Sequence, residues 1–143
     1  MKKAMEIRKY IESDRTNLIE LWETCGLTRP WNDPNKDIDR KVSFQPDLFL
    51  VGIVNSLIIA SAMAGYDGHR GSVFYLAVHP DYQSKGYGKI LMTHIENALE
   101  KIGCPKLNIV VRSSNTPIIG FYDHLNYKKE DVSSLGKRLI TDA

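Results

Sequence analysis

A glycine-containing segment, Gln83-Ser84-Lys85-Gly86-Tyr87-Gly88, stands between a short apolar run and a long amphipathic stretch. The apolar run, Val73 to Val78, ends at His79-Pro80. Proline cannot donate to a sheet ladder, so a strand closes there. Beyond the glycines, Leu91, Ile95, Ala98, Leu99 and Ile102 recur at steps of three and four, the period of one helix face. Strand, loop and helix in that order leave main-chain N–H groups pointing outward where the helix dipole is positive. That arrangement suits a phosphate or pyrophosphate. A side chain at Gly86 or Gly88 would hold such a ligand off the backbone. The spacing is neither G-x-G-x-x-G nor G-x-x-x-x-G-K-S/T, which argues against a dinucleotide site and a P-loop. Two glycines before a helix also describe a plain turn, so the loop by itself leaves both readings open.

The scaffold around this segment can be read in order. Met5 to Tyr10 alternates apolar and charged residues, as a strand does. Ser13 or Asp14 can cap a helix whose Leu18, Leu21, Trp22 and Cys25 share a face, with Gly26 at its end. Asp33-Pro34 supplies an N-cap and first position for a second helix to about Phe44, with Ile38 and Val42 as a thin apolar face and Pro46 beyond it. Leu48–Val54 and Leu57–Tyr66 form a hairpin about the turn signal Asn55-Ser56. A turn at Asp67-Gly68-His69-Arg70-Gly71 leads into the central strand. After the central helix comes a strand over Lys106–Arg112, expected to lie parallel to the first because a helix separates them. Thr116-Pro117 starts a short helix from Ile118 to about Leu125, and Tyr127–Val132 and Leu135–Ile140 read as two final strands.

Composition narrows the function class. A chain of 143 residues, 43% hydrophobic and 25% charged, is expected to form one domain over 1–143. Its formal charge of +2, scattered in sequence, points to neither nucleic acid nor a membrane surface. Cys25 and Cys104 lack the neighbours of a metal site or a disulfide framework and read as two thiols of a reducing compartment. The basic start at Met1-Lys2-Lys3 is followed by charge instead of an apolar core. A signal peptide is therefore not expected, and a cytoplasmic location is.

The loop and the order of elements, β-α-α-β-β-β-α-β-α-β-β, resemble the GNAT (GCN5-related) N-acetyltransferases. That family's signature is Gln/Arg-x-x-Gly-x-Gly/Ala, here Gln83-x-x-Gly86-x-Gly88. Asn115 and Phe121-Tyr122-x-x-Leu125-x-Tyr127 extend the resemblance, which covers essentially the whole chain and is specific from Tyr75 to Tyr127. Asn126 stands where the family usually has glycine, and asparagine tolerates positive φ best among the other residues. The resemblance implies an α/β (α+β) fold, the GNAT acyl-CoA N-acyltransferase fold, with a mixed central sheet of about seven strands and four helices.

It also implies acetyl-CoA as donor, with no metal, and an amine acceptor that is a small molecule, a protein N-terminus or a lysine. Main-chain N–H groups from Gln83 through Gly88 (Ser84, Lys85, Gly86 and Tyr87 between them) would hold the pyrophosphate, with Lys85 and Lys89 adding charge. The backbone of Leu76, Ala77 and Val78 would pair with the pantetheine arm as an added strand. Asn115 would hydrogen-bond that arm, and Tyr122 corresponds to the family's general acid. Many relatives carry a Glu on the central strand, but Phe74-Tyr75-Leu76-Ala77-Val78 has none. Tyr75, His79 and Asp67 are the candidates for a base. Arg29, Trp31, Asn32 and Asp33 fall where the acceptor is expected, although Trp31 could equally fill the core and Asp33 cap a helix. Homodimers are a reasonable default. The missing Glu keeps a catalytically silent acyl-CoA-binding or regulatory module as the competing reading, and a generic anion-binding domain as a third.

Overall fold

A computed structural model describes residues 3–142, so Met1-Lys2 of the basic start and Ala143 lie outside the described residues. The elements in chain order are β1 (Glu6–Lys9), α1 (Arg15–Thr24), α2 (Pro34–Ser43), β2 (Phe49–Val54), β3 (Leu57–Tyr66), β4 (Gly71–Val78), α3 (Tyr87–Lys101), β5 (Leu107–Asn108) and α4 (Thr116–His124). The five strands lie in sequence order in one sheet. All neighbours are antiparallel except β4 and β5, which the intervening α3 makes parallel as expected.

Helices cover both faces of the sheet. Leu18, Leu21 and Trp22 of α1 and Ile38 of α2 pack with Phe49, Val51, Met63 and Ala77 on one side. On the other, Leu91, Met92, Ile95 and Leu99 of α3 and Tyr122 of α4 pack against Leu50, Ile59, Ala62 and Val73. A sheet covered twice needs apolar side chains in both directions, which is why β2 and β3 are nearly continuous apolar runs. Each such side chain taken fully out of water stabilises the fold by about 1.5–3 kcal/mol. Among the described residues no helix is long and apolar enough to cross a membrane.

Local signals account for several joints. The β2–β3 turn has φ of 52° at Asn55 and 65° at Ser56, the pair of left-handed residues that matches the twist of a two-residue hairpin. Asp33 caps α2, its carboxylate accepting from the N–H of Asn35 at 2.8 Å. Asn126 takes φ 71° after α4, the conformation expected of it.

Three expectations are corrected. Asp14 occupies the N-cap position of α1, but its carboxylate turns to Arg8 (2.8 and 3.0 Å) and to the N–H of Ile11 (2.9 Å), tying β1 to the start of the helix. The strand expected over Lys106–Arg112 is paired only at Leu107 and Asn108, after which the chain leaves the ladder. The two final strands are absent from the described residues, and the sheet has five strands instead of about seven. With β5 ending early there is no edge for Tyr127–Val132 to extend. The residues that suggested strands are exposed, Leu135 by 93% and Leu139 by 87%. Polar contacts fasten the tail instead: Lys106 pairs with Glu130, Arg138 donates to Asn32, and Asp142 receives Arg40 (2.6 Å) and the N–H of Asp33 (2.8 Å).

Candidate active site

The site begins with an irregularity in β4. Ser61 pairs with Ala77 and Met63 with Phe74, so Tyr75 and Leu76 together oppose Ala62 alone. This is a β-bulge, with Tyr75 at φ 52°, a left-handed conformation that costs a non-glycine residue about 1–3 kcal/mol and persists only where its surroundings hold it. Here Trp22 Nε1–H donates to Ser61 Oγ (2.9 Å), Ser61 donates to the carbonyl of Tyr75 (2.9 Å), and the Trp22 and Tyr75 rings stack with centroids 3.9 Å apart. Ser61 is fully buried.

The bulge has two consequences. It resets the alternation of side chains, so Phe74 and Tyr75 both line the α1–α2 side of the sheet while Leu76 and Val78 pack with α3 and α4. It also precedes a free stretch of edge, because β5 pairs only with Gly71 and Ser72. His79 N–H bonds Ile59 on β3 (2.7 Å), so alternation turns the polar groups of Val78 and Leu76 toward that open edge. The Val78 carbonyl there accepts from Gln83 Nε2 (2.9 Å) and from the Cys25 thiol (3.4 Å). Burial raises the pKa of Cys25 above the ordinary thiol value.

Past Val78, Pro80–Tyr82 form a single helical turn, and Ser84 (φ 62°) and Gly86 (φ 86°) bend the chain into α3. Asp33 and Asn115 cap α2 and α4 with side-chain oxygens; α3 has no side-chain cap, which leaves the N–H groups of Gly88 and Lys89 to an outside acceptor. Lys85 and Lys89 are exposed beside this end, the Lys85 ammonium lying 5.7 Å from the Tyr82 ring centre. Tyr87 is buried, its hydroxyl donating to the carbonyl of Lys3 (2.6 Å). Gly88 is small for a reason the sequence did not suggest. A Cβ there would meet the Phe121 ring at 3.0 Å, so this glycine lets α4 close on the first turn of α3.

That contact brings in Tyr122, one residue on. Its ring is edge-on to Phe121 (5.0 Å) and Tyr127 (5.6 Å) and shares the apolar cluster of Leu76 and Val78. The hydroxyl makes no hydrogen bond to a described residue, yet it is not among the fully enclosed unpaired polar atoms, so it keeps access to solvent. Burial raises its pKa well above the ordinary phenol value, keeping it protonated at any physiological pH. Asn115 acts as the cap of α4, accepting from Ile118 N–H (3.4 Å).

On the opposite side of β4 a pocket of about 650 Å³ opens between α2 and the bulge. Leu27, Phe44, Met63 and Phe74 give it an apolar wall; Asp37, Arg40, Lys41 and Tyr75 supply its charge and hydroxyl. Tyr75 donates to Asp37 Oδ2 (2.6 Å), and Arg40 donates to Asp37 Oδ1 (3.1 Å). Burial first, then the Asp37 carboxylate, push the Tyr75 pKa up.

Of the residues singled out in the sequence, Tyr75 and Asn32 line this pocket. Trp31 does not fill the core: it is 51% exposed, with the Arg112 guanidinium 5.5 Å from its ring. Arg29 folds back on its own loop, donating to the carbonyls of Gly26 and Thr28. Asp33 serves as cap, and its N–H holds Asp142. His79 caps the turn at Pro80, its Nδ1 accepting from Asp81 N–H (3.1 Å). Asp67 lies in the β3–β4 turn, at the far end of β4 from Val78, where its carboxylate accepts from the N–H groups of His69 and Arg70. The structure does not bring it to Tyr75. Asp37, Lys41 and Ser61 went unnoticed in the sequence, although Asp37 and Lys41 stand at the i, i+4 spacing that puts two side chains on one helix face.

Comparison with known proteins gives this geometry a family. The sequence profile of the acetyltransferase (GNAT) family matches residues 9–127. An acetyltransferase of Yersinia pestis is 53% identical over 96% of this chain and 98% of its own length. Among solved structures, PaiA N-acetyltransferase from Thermoplasma acidophilum, in complex with coenzyme A, superposes with a TM-score of 0.75 at 23% identity, covering 91% of this chain and 93% of that one. The ribosomal-protein-S18-alanine N-acetyltransferase of Escherichia coli does so at 0.73 and 25% identity, covering 89% and 79%. The profile match over most of the chain and the half-identical acetyltransferase together show that the chain belongs to the GNAT family of acetyltransferases.

Proposed function

We propose that this enzyme transfers an acetyl group from acetyl-CoA to a primary amine, with Tyr122 protonating the departing thiolate. The observation that carries the reading is the Tyr122 hydroxyl, unpaired among the described residues, protonated, and set in the same apolar cluster as the open edge of β4. The chain's features fit such a donor. The N–H groups of Gly88 and Lys89, in the first turn of a helix without a side-chain cap, suit a diphosphate, with Lys85 and Lys89 contributing charge. The polar groups of Leu76 and the N–H of Val78, without a strand partner on that side, suit the amides of a pantetheine arm. When bound, the thioester supplies an activated acetyl carbon and a leaving group.

The acceptor must lose a proton as the C–N bond forms and the C–S bond breaks. A lysine-like amine, pKa about 10.4, costs roughly 4–5 kcal/mol to hold neutral at pH 7, so a route for that proton matters. Tyr75 can accept it at Oη while passing its own proton to Asp37 Oδ2, the atom to which it already donates. Tyr122 delivers a different proton to sulfur, so the two phenols work on opposite sides of β4.

Tyr122→Phe tests the reading by thiol release and by calorimetric acetyl-CoA binding. Turnover should fall by about 100-fold or more while acetyl-CoA affinity stays within about twofold. Unchanged turnover, or parallel loss of both quantities, would remove Tyr122 from the role of acid.

A further inference from the structure

The pocket beside Tyr75 carries an unmatched charge. Asp37 and Lys41 stand at i, i+4 on α2, a spacing at which opposite charges commonly pair, yet they do not. Asp37 is taken by Tyr75 and Arg40, and Arg40 by Asp37 and Asp142. Lys41 is left with one hydrogen bond, from Nζ to the carbonyl of Ala64 (2.6 Å), and no carboxylate among the described residues. Its ammonium is partly buried at the rim of an apolar wall, where a charge without a counter-ion is costly. Two of its three protons remain to be given.

We propose, resting on the acetyltransferase reading, that this pocket is the acceptor site and that Lys41 receives a carboxylate of the acceptor. The substrate is then an amino carboxylate with an apolar body. The carboxylate binds Lys41, the body lies against Phe44, Met63 and Phe74, and the amine points to Tyr75 at the bulge. One uncompensated ammonium matches the single charge of a carboxylate and would leave a phosphate dianion half neutralised. A polyamine would set a second cation against Lys41, so such acceptors are excluded.

The test is calorimetric binding to the CoA-saturated enzyme, with two amino carboxylates of different reach, L-phenylalanine and 4-(aminomethyl)benzoate, each compared with its neutral amide. At least one acid should bind tenfold or more tightly than its amide, Lys41→Gln should bring that ratio near one, and Lys41→Arg should keep most of it. Equal binding of acid and amide in both pairs, absence of binding by all four probes, or a ratio that survives Lys41→Gln overturns the proposal. Thiol release on the same compounds separates this from the reading beneath it. Lys41-dependent binding of the acid without acetylation of any amine upholds the site and contradicts acetyl transfer. Acetylation with no dependence on Lys41 upholds transfer and overturns the site.

Discussion

Replacing Ser61 by alanine removes one oxygen atom, and the structure indicates how much should follow. Ser61 is the middle of a buried chain in which Trp22 Nε1–H donates to its hydroxyl and the hydroxyl donates to the Tyr75 carbonyl, both at 2.9 Å. Trp22 and Ser61 are each 0% exposed, so no water takes the vacated place without cost. A buried indole N–H left unpaired costs about 1–3 kcal/mol, and the loss of a donor to Tyr75 adds about 1 kcal/mol. The sum, about 2–4 kcal/mol, is a large share of the roughly 5–15 kcal/mol that holds a domain of this size together. It corresponds to a melting temperature lower by about 5–15 °C. A second effect is specific to the bulge. Tyr75 is held at φ 52°, and without the Ser61 bond that strain can relax, moving Leu76 and Val78 off their line along the open edge. Losing the equivalent of one hydrogen bond to the donor, about 1.4 kcal/mol, would weaken acetyl-CoA binding tenfold. Urea unfolding, with an unchanged m-value, measures the first effect and calorimetry on the folded variant the second. Stability within about 0.5 kcal/mol of the parent, or full destabilisation with unaltered acetyl-CoA affinity, would refute the claim that this chain of hydrogen bonds positions the bulge.

Other outcomes are expected at neighbouring points. Asp37→Asn should lower turnover by about 100-fold or more while leaving acetyl-CoA affinity near normal, because it removes the final proton acceptor behind Tyr75; turnover within a few-fold of the parent would end that role. Gly88→Ala should destabilise by about 1–3 kcal/mol through the clash with Phe121, seen as a lower urea midpoint, and a neutral result would mean α4 can retreat freely. The Asp142 carboxylate, held by Arg40 and the Asp33 N–H, has its pKa lowered to about 2. A depressed carboxylate pKa contributes stability that is fully present above the unfolded value, about 3.9, and is lost as pH falls toward 2. Carbon-13 titration should place its midpoint near 2, Asp142→Asn should flatten stability between about pH 4 and 2, and an ordinary midpoint would contradict the clasp on α2.

How much of this was legible in the sequence depends on how local each cause is. The Asn55-Ser56 turn, the Asp33-Pro34 cap and the positive φ at Asn126 are set by residues at the joint itself, and all were readable. The bulge was not. Nothing about Phe74-Tyr75-Leu76 announces a left-handed tyrosine, because what holds it is a serine 14 residues earlier, itself bonded to a tryptophan 39 residues before that serine. Asp37 was hidden likewise: on its own helix it is one charge on a polar face, and its meaning comes from Tyr75, 38 positions away. Strand patterns misled at the end of the chain, since Val132, Leu135, Leu139 and Ile140 supply the apolar residues of strands without an edge to pair on. Gly88 was singled out for closeness to a ligand; its second use, making room for Phe121, depends on a residue 33 positions away and was not legible.

The central claim is that the uncapped start of α3 and the open edge of β4 together hold acetyl-CoA with its sulfur at Tyr122. A crystal structure of the acetyl-CoA complex tests this most directly. The account predicts diphosphate oxygens about 3 Å from the N–H groups of Gly88 and Lys89, pantetheine amides paired with Leu76 and the Val78 N–H, and the thioester sulfur within about 4 Å of Tyr122 Oη. A complex with the sulfur on the far side of β4 from Tyr122, or with the diphosphate away from α3, would contradict it.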